Sequence, residues 1–156
     1  LQDDPVQMAD PAKFNHYMQL NAAGLCGMPP ERLFRAAHVA HPCSRRTMAQ
    51  LHTRFNAAFR GNARYQMRDI RQFSPQSLHN HACILHKTAK LHPIKDHHHI
   101  YSGQGVGAAD GTIPTLLQNL RDTPDLKMLC VNDLPQLEAL YPDIRSWLAQ
   151  LLTGAP

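Results

Sequence analysis

The sequence predicts a mixed α/β fold that is mainly helical, with a few short strands. Two observations support this. Apolar residues recur at spacings of three and four after Asp-Pro, Ser or Ser-Pro helix starts, whereas only short apolar runs are typical of strands. The 156 residues match the length of one ordinary domain, and the 43% hydrophobic content suffices for a compact core.

The first part of the chain predicts helices. Asp10-Pro11 is a favourable helix start, and Gly24 is the expected stop, after an apolar stripe that includes Phe14, Tyr17 and Met18. Pro29-Pro30 predicts a short helix carrying Leu33 and Phe34. Ser44 is the expected cap of a longer helix that ends near Gly61, with its apolar face formed by Met48, Leu51, Phe55 and Phe59.

The second part alternates helices with short strands. Ser74-Pro75 predicts a helix with Leu78, Ala82 and Leu85 facing inward. Residues 91–111 are expected to be loop-like, with one candidate strand near His99–Tyr101. A helix is expected from Thr112 to about Arg121, and a buried-type strand at Lys127–Val131. Two terminal helices follow, at Leu134–Leu140 and Asp143–Leu152, separated by Pro142.

Composition limits the classes of function. A net charge of +4 mildly favours anionic ligands, although an ordinary soluble surface explains it equally well. No apolar run reaches the length of a transmembrane helix, no secretory signal opens the chain, and the start without Met suggests a fragment or a processed protein. These features favour a cytoplasmic protein, with association at the inner face of the membrane left open.

The four cysteines are widely spaced and contain no Cys-x-x-Cys motif, so neither a disulfide framework nor a zinc knuckle is supported. A reducing compartment is favoured, with Cys83 and Cys130 as buried thiols. The run His97-His98-His99 is interpreted as an exposed polar loop, because three consecutive strand residues cannot readily bind one ion.

Three motifs carry a resemblance to a known family. They are His38-Val39-Ala40-His41 before an amphipathic helix, Met67-Arg68 before Ser74-Pro75-Gln76-Ser77-Leu78, and a strand that ends in Cys130-Val131-Asn132-Asp133. In this order they resemble the third and fourth sequence blocks of the stealth proteins, the sugar-1-phosphate transferases of capsule synthesis and lysosomal-enzyme modification. The similarity covers roughly residues 30–150. It implies that residues 1–156 are the C-terminal part of a stealth-type phosphotransferase domain, whose intact core is Rossmann-like.

The resemblance implies a reaction and its residues. Hexose or N-acetylhexosamine 1-phosphate would move from a nucleotide-sugar donor to a hydroxyl of a glycan acceptor. His38 matches the catalytic histidine and Arg68 the phosphate-contacting arginine, while Asn132 and Asp133 match the site-facing pair of the fourth block. His41 is expected to orient His38 or to contact phosphate. A divalent metal, magnesium, is implied by the family alone, and no ligand set for it is evident.

The residue chemistry agrees with these roles. A neutral histidine near pH 7 is suited to accept a proton from a hydroxyl, and an arginine can hold two phosphate oxygens through parallel hydrogen bonds. Purely structural roles remain open for each residue: packing or capping for His38 and His41, a surface ion pair for Arg68, and a helix cap for Asn132-Asp133.

One departure from the family pattern favours an alternative function. The acidic pair that normally follows the arginine is replaced by Arg71 and Gln72, and the first two sequence blocks are missing. The alternative is a non-catalytic or degenerate helical module that binds anionic partners such as phosphate groups or nucleic acid, whereas the transferase interpretation expects no nucleic acid. The oligomeric state is not indicated by the sequence.

Overall fold

The computed structural model describes residues 14–36, 38, 40–91, 96–100, 115, 119–123 and 125–153. The chain forms two compact units: residues 1–37 with 41–91, and residues 38–40 with 92–156. The first unit is helical, and the second combines helices with a parallel strand pair. The prediction of a mainly helical α/β chain is therefore confirmed.

The described residues of the first unit form the α-helices α1 (Phe14–Leu25), α2 (Arg45–Arg54), α3 (Asn56–Asn62) and α4 (Pro75–Leu85), with a 3-10 helix at Pro30–Arg32. Their shared core buries Leu51, Phe73 and Leu78 with two alanines, and Phe59 meets Phe73 edge to face at 5.1 Å between ring centroids. The predicted start of the first helix at Asp10-Pro11 lies outside the described residues.

The caps of α2 and α4 form as predicted. The Ser44 hydroxyl accepts a hydrogen bond from the Thr47 amide, and the Ser74 hydroxyl accepts one from the Ser77 amide, each at 3.2 Å. These bonds satisfy amides that a helix leaves without an internal partner in its first turn.

Two predicted helix boundaries are wrong. Gly24 does not stop α1, which continues to Leu25; Gly27, with φ of 76°, makes the left-handed turn that follows. The predicted helix after Ser44 divides in two because Phe55 leaves helical geometry, with φ of −112° and ψ of 31°. Phe55 and Phe59 still pack against the same core, so the predicted apolar face survives the break.

The second unit contains β1 (His97–Ile100), β2 (Met128–Val131), α5 (Leu134–Leu140) and α6 (Ile144–Thr153). The two strands pair in parallel, with His97 opposite Met128 and Ile100 opposite Val131. Ile100, Leu120, Leu137 and Ile144 form the buried core. Residues 115 and 119–121 are helical, and the rest of the helix predicted from Thr112 lies outside the described residues.

The expectation of an exposed loop at His97-His98-His99 is wrong, because all three residues lie in β1 and are half-buried. Pairing with β2 satisfies the backbone of this segment and covers side chains that look polar in the sequence. Among the described helices, none combines the length and the apolar character that crossing a membrane requires.

Candidate functional site at the parallel strand pair

The site in the second unit is formed where His38 meets β1. The imidazole rings of His38 and His99 stack with 4.2 Å between their centroids and 15° between their planes. His38 is exposed, whereas His99 is half-buried within its strand. His38 is grouped with the second unit, to which β1 also belongs.

The pairing register brings a cysteine to the same place. His99 is the direct partner of Cys130 across the parallel pair, so their side chains project from the same face of the sheet. The ligand atoms of His38, His99 and Cys130 all lie within 4.8 Å of one another. Two imidazole nitrogens and one sulfur are therefore grouped near the carboxyl ends of both strands.

Asn132 and Asp133 follow directly after β2. The Asn132 amide donates a hydrogen bond of 2.9 Å to the Ile100 carbonyl, which extends the pairing by one residue. Its side-chain oxygen accepts a contact of 3.5 Å from the Cys130 thiol. These bonds hold Asn132 beside the group of His38, His99 and Cys130.

Asp133 is not a side-chain cap. It adopts a left-handed conformation with φ of 57° and ψ of 38°, and its carboxylate makes no capping hydrogen bond to α5. Left-handed geometry is uncommon outside glycine, although Asp tolerates it better than most residues. The structure therefore contradicts the capping role for Asp133 and leaves its carboxylate exposed near His99.

His99 is held in its neutral form at physiological pH. Burial lowers the pKa of His99 most, the nearby His38 and His98 lower it further, and the Asp133 carboxylate opposes them. A neutral imidazole keeps a lone pair for a proton or a metal ion, so the electrostatics favour ligand chemistry at this group.

Arg68 and His41 belong to the first unit, whereas His38 belongs to the second. The expectation that His38 and Arg68 share a cleft therefore stays a prediction. The Arg68 side chain is exposed and makes no hydrogen bond or ion pair with another described residue, so the surface ion pair considered for it is not observed there. His41 is half-buried and is engaged in a contact of its own.

Arg71 and Gln72 both have hydrogen-bond partners within the chain. The Arg71 guanidinium donates two hydrogen bonds to the Asp69 carboxylate, at 2.7 and 2.6 Å, and the Arg71 amide donates a third at 2.9 Å. Together these bonds lower the pKa of Asp69 to about 2. Gln72 accepts a hydrogen bond from the Asp69 amide and donates one to the Asn62 carbonyl. Both side chains thus stabilise the turn that follows Arg68.

Two histidines of α4 accept hydrogen bonds from backbone amides, a role that the sequence did not indicate. His79 and His81 are both buried. The Ser44 amide donates to His79 Nε2 at 3.0 Å, and the Phe34 amide donates to His81 Nε2 at 3.4 Å. These bonds fix the chain on both sides of the segment that contains His38.

The group of His38, His99 and Cys130 does not fit magnesium. Magnesium takes oxygen ligands in near-octahedral geometry, whereas this group offers two nitrogens and a sulfur. It is the one group of three metal-ligating side chains within the described parts of the chain. The magnesium expected from the resemblance stays a prediction, and no ligand set for it is evident in those parts.

Sequence reasoning identified His38, Asn132 and Asp133 but missed His99 and treated Cys130 only as a buried thiol. Cys130 is half-buried instead, whereas Cys83 is buried as predicted, and all four cysteines are free. The parallel register that aligns His99 with Cys130 depends on a long-range pairing for which the local pattern gives no signal.

Comparisons of this chain with models of known protein families, with curated proteins and with solved structures gave no significant match, so the resemblance to the stealth proteins depends on the quoted motifs alone.

Proposed function

We propose that this chain is the C-terminal part of a stealth-type sugar-1-phosphate transferase, in which His38 accepts a proton from the acceptor hydroxyl. The supporting observation is that His38 lies beside the carboxyl end of β2, from which Asn132 and Asp133 extend. Residues of the third and fourth sequence blocks, about 90 positions apart in the chain, are thus neighbours.

The position of this group is typical of ligand sites. In open α/β sheets, ligands bind outside the carboxyl ends of parallel strands, which is where Asn132 and Asp133 lie. We propose that the parallel pair of β1 and β2 belongs to the Rossmann-like core implied by the resemblance.

Phosphoryl transfer depends mainly on positioning and on charge stabilisation. In the proposed reaction the acceptor oxygen attacks the sugar-linked phosphorus while His38 takes the hydroxyl proton, and the bond to the nucleoside monophosphate breaks. Arg68, exposed and without an ion pair among the described residues, would hold donor phosphate oxygens. Asn132 and Asp133 would contact the substrate.

The transferase proposal is tested by incubating the chain, and a longer protein that contains it, with a UDP-N-acetylhexosamine and a glycan acceptor, with and without magnesium. Release of UMP is the measurement. We expect His38→Ala to lower the rate about 100- to 10,000-fold, because it removes the base. Arg68→Lys should weaken donor use, because lysine lacks the planar fork.

Matched controls are available on the same chain. His86→Ala and Arg60→Lys change exposed residues outside the proposed site, and both should leave the rate unchanged. Near-normal turnover by His38→Ala and Arg68→Lys, with intact folding by circular dichroism, would remove the catalytic assignment.

A second candidate function is supported by the distribution of charge. Residues 14–36 and 41–91 of the first unit carry eleven Lys and Arg against two Asp and Glu. This imbalance favours the alternative of an anion-binding module, with nucleic acid as one partner. Tight DNA binding that weakens steeply with added salt, together with no response to nucleotide-sugars, would favour the module over the transferase.

A further inference from the structure

We infer that His38, His99 and Cys130 form a binding site for Zn²⁺. Metal binding can be measured without any turnover. It is an alternative to the proton-accepting role of His38, because an imidazole that donates its lone pair to zinc cannot also accept a proton.

The strand pair fixes two of the three ligands. His99 and Cys130 are register partners in a parallel ladder, so backbone hydrogen bonds on both sides hold their side chains next to each other. The third ligand, His38, is already in van der Waals contact with the His99 ring. The group is therefore set by the fold of the second unit and not by proximity in sequence.

A small adjustment brings the ligands to zinc geometry. A tetrahedral shell with Zn–N near 2.0–2.1 Å and Zn–S near 2.3 Å separates its ligand atoms by about 3.3–3.6 Å. The three ligand atoms here lie within 4.8 Å of one another, so closure by about 1 Å is needed. His38 is exposed and can rotate out of its stack with His99, so that both lone pairs converge on one ion.

The donor chemistry selects the ion. Two imidazoles and a thiolate are borderline-soft ligands, which suit zinc and not magnesium or calcium. On binding, the Cys130 thiol loses its proton to solvent and the sulfur becomes a zinc ligand, while its contact to Asn132 Oδ1 is given up. Water or the exposed Asp133 carboxylate near His99 completes the fourth position.

Cobalt absorption tests the site directly. The whole chain is titrated with Co²⁺ and then Zn²⁺ in oxygen-free buffer with a non-thiol reductant. We expect one cobalt per chain, with a thiolate-to-cobalt charge-transfer band and visible bands of tetrahedral cobalt, all removed by one equivalent of zinc. Cys130→Ser should abolish the charge-transfer band, whereas Cys43→Ser, at an exposed cysteine, should retain it.

A variant of the neighbouring residue His98 serves as the control for a variant of the ligand His99. His99→Gln should lower the affinity for zinc. Loss of an outer-shell partner of a metal ligand costs roughly 10- to 100-fold in affinity, and loss of a ligand itself should cost at least as much. His98→Gln alters the adjacent strand residue, which projects from the opposite face, and should leave the affinity unchanged. Equal losses for both variants would assign the zinc to the histidine run and overturn the site.

Alkylation of the unaltered chain gives a readout that needs no variant. Zinc should protect Cys130 from iodoacetamide and leave the exposed Cys43 reactive, with the modified residues located by mass spectrometry. Alkylation of Cys130 at the same rate with and without zinc would overturn the proposal, as would cobalt binding that shows no thiolate band.

Discussion

His81 shows how a single histidine can stabilise a fold through its protonation state. Its Nδ1 lies 2.7 Å from the Ser77 carbonyl and donates to it, which leaves Nε2 to accept from the Phe34 amide. A second proton would occupy Nε2, break the bond to Phe34 and place a charge in a site that is 1% exposed. His81 therefore stabilises the first unit only while it is neutral.

The stability of the first unit should consequently depend on pH. Burial lowers the pKa of His81 below its ordinary 6.5, and the bond to Ser77 only partly opposes this. Because the unfolded state binds the proton first, the contribution of His81 is complete above about pH 6.5 and is lost as the pH falls through its lowered pKa. Urea unfolding at pH 7.5 and pH 5.5 should show the decrease.

A variant of His81 tests whether this residue causes the pH dependence of stability. His81→Leu should cost about 1–3 kcal/mol at pH 7.5 because the Phe34 amide loses its partner, and it should flatten the pH dependence. The matched change at the exposed His86, one turn beyond on the same segment, should leave both the stability and its pH dependence nearly unaltered. Identical pH profiles for the two variants would contradict this role of His81.

At the scale of the element, the positions of helix caps and strands were predicted from the sequence better than the burial of individual side chains was. The caps Ser44 and Ser74 were predicted from the residue types at helix starts, and both are found. The strand predicted at Lys127–Val131 from a short apolar run is found at Met128–Val131. The inward face of α4 was only partly predicted. Leu78 is fully buried, but Leu85 is 40% exposed, and His79 and His81 take the buried positions instead.

Two leucines of α4 therefore make a matched pair. Leu78→Ala should lower the free energy of unfolding by about 2–5 kcal/mol, because it leaves a cavity against Leu51 and Phe73. Leu85→Ala removes the same atoms from an exposed position and should change the free energy of unfolding by about 0.5 kcal/mol or less. Denaturant unfolding measures both, and equal losses would contradict the assignment of this helix face.

At the scale of the whole molecule, the charges divide between the two units. The first is strongly basic, whereas residues 96–100, 119–123 and 125–153 of the second carry three Lys and Arg against six Asp and Glu. The overall charge of +4 hides this division. An anionic partner should therefore be bound mainly by the first unit.

Charge reversal at two positions in each unit tests this division. Arg45→Glu with Arg46→Glu should weaken DNA or polyphosphate binding and reduce its salt dependence, by about 0.7–0.9 in the log–log slope per lost phosphate contact. Arg121→Glu with Lys127→Glu makes the same change in net charge within the second unit, at residues that are equally exposed. Equal weakening of DNA or polyphosphate binding by both pairs of substitutions would show that binding depends only on the net charge of the chain.

The sequence by itself determined the fold class, most helix and strand positions, and three members of the candidate site: His38, Asn132 and Asp133. Capping, turn formation and apolar periodicity depend on residues close together in the chain, so they can be recognised in the sequence. Only the tertiary structure decided that His99 faces Cys130, that His38 stacks on His99, and that His79 and His81 are buried. Strand register and burial depend on partners tens of residues away, whose choice is governed by long-range packing and hydrogen bonding.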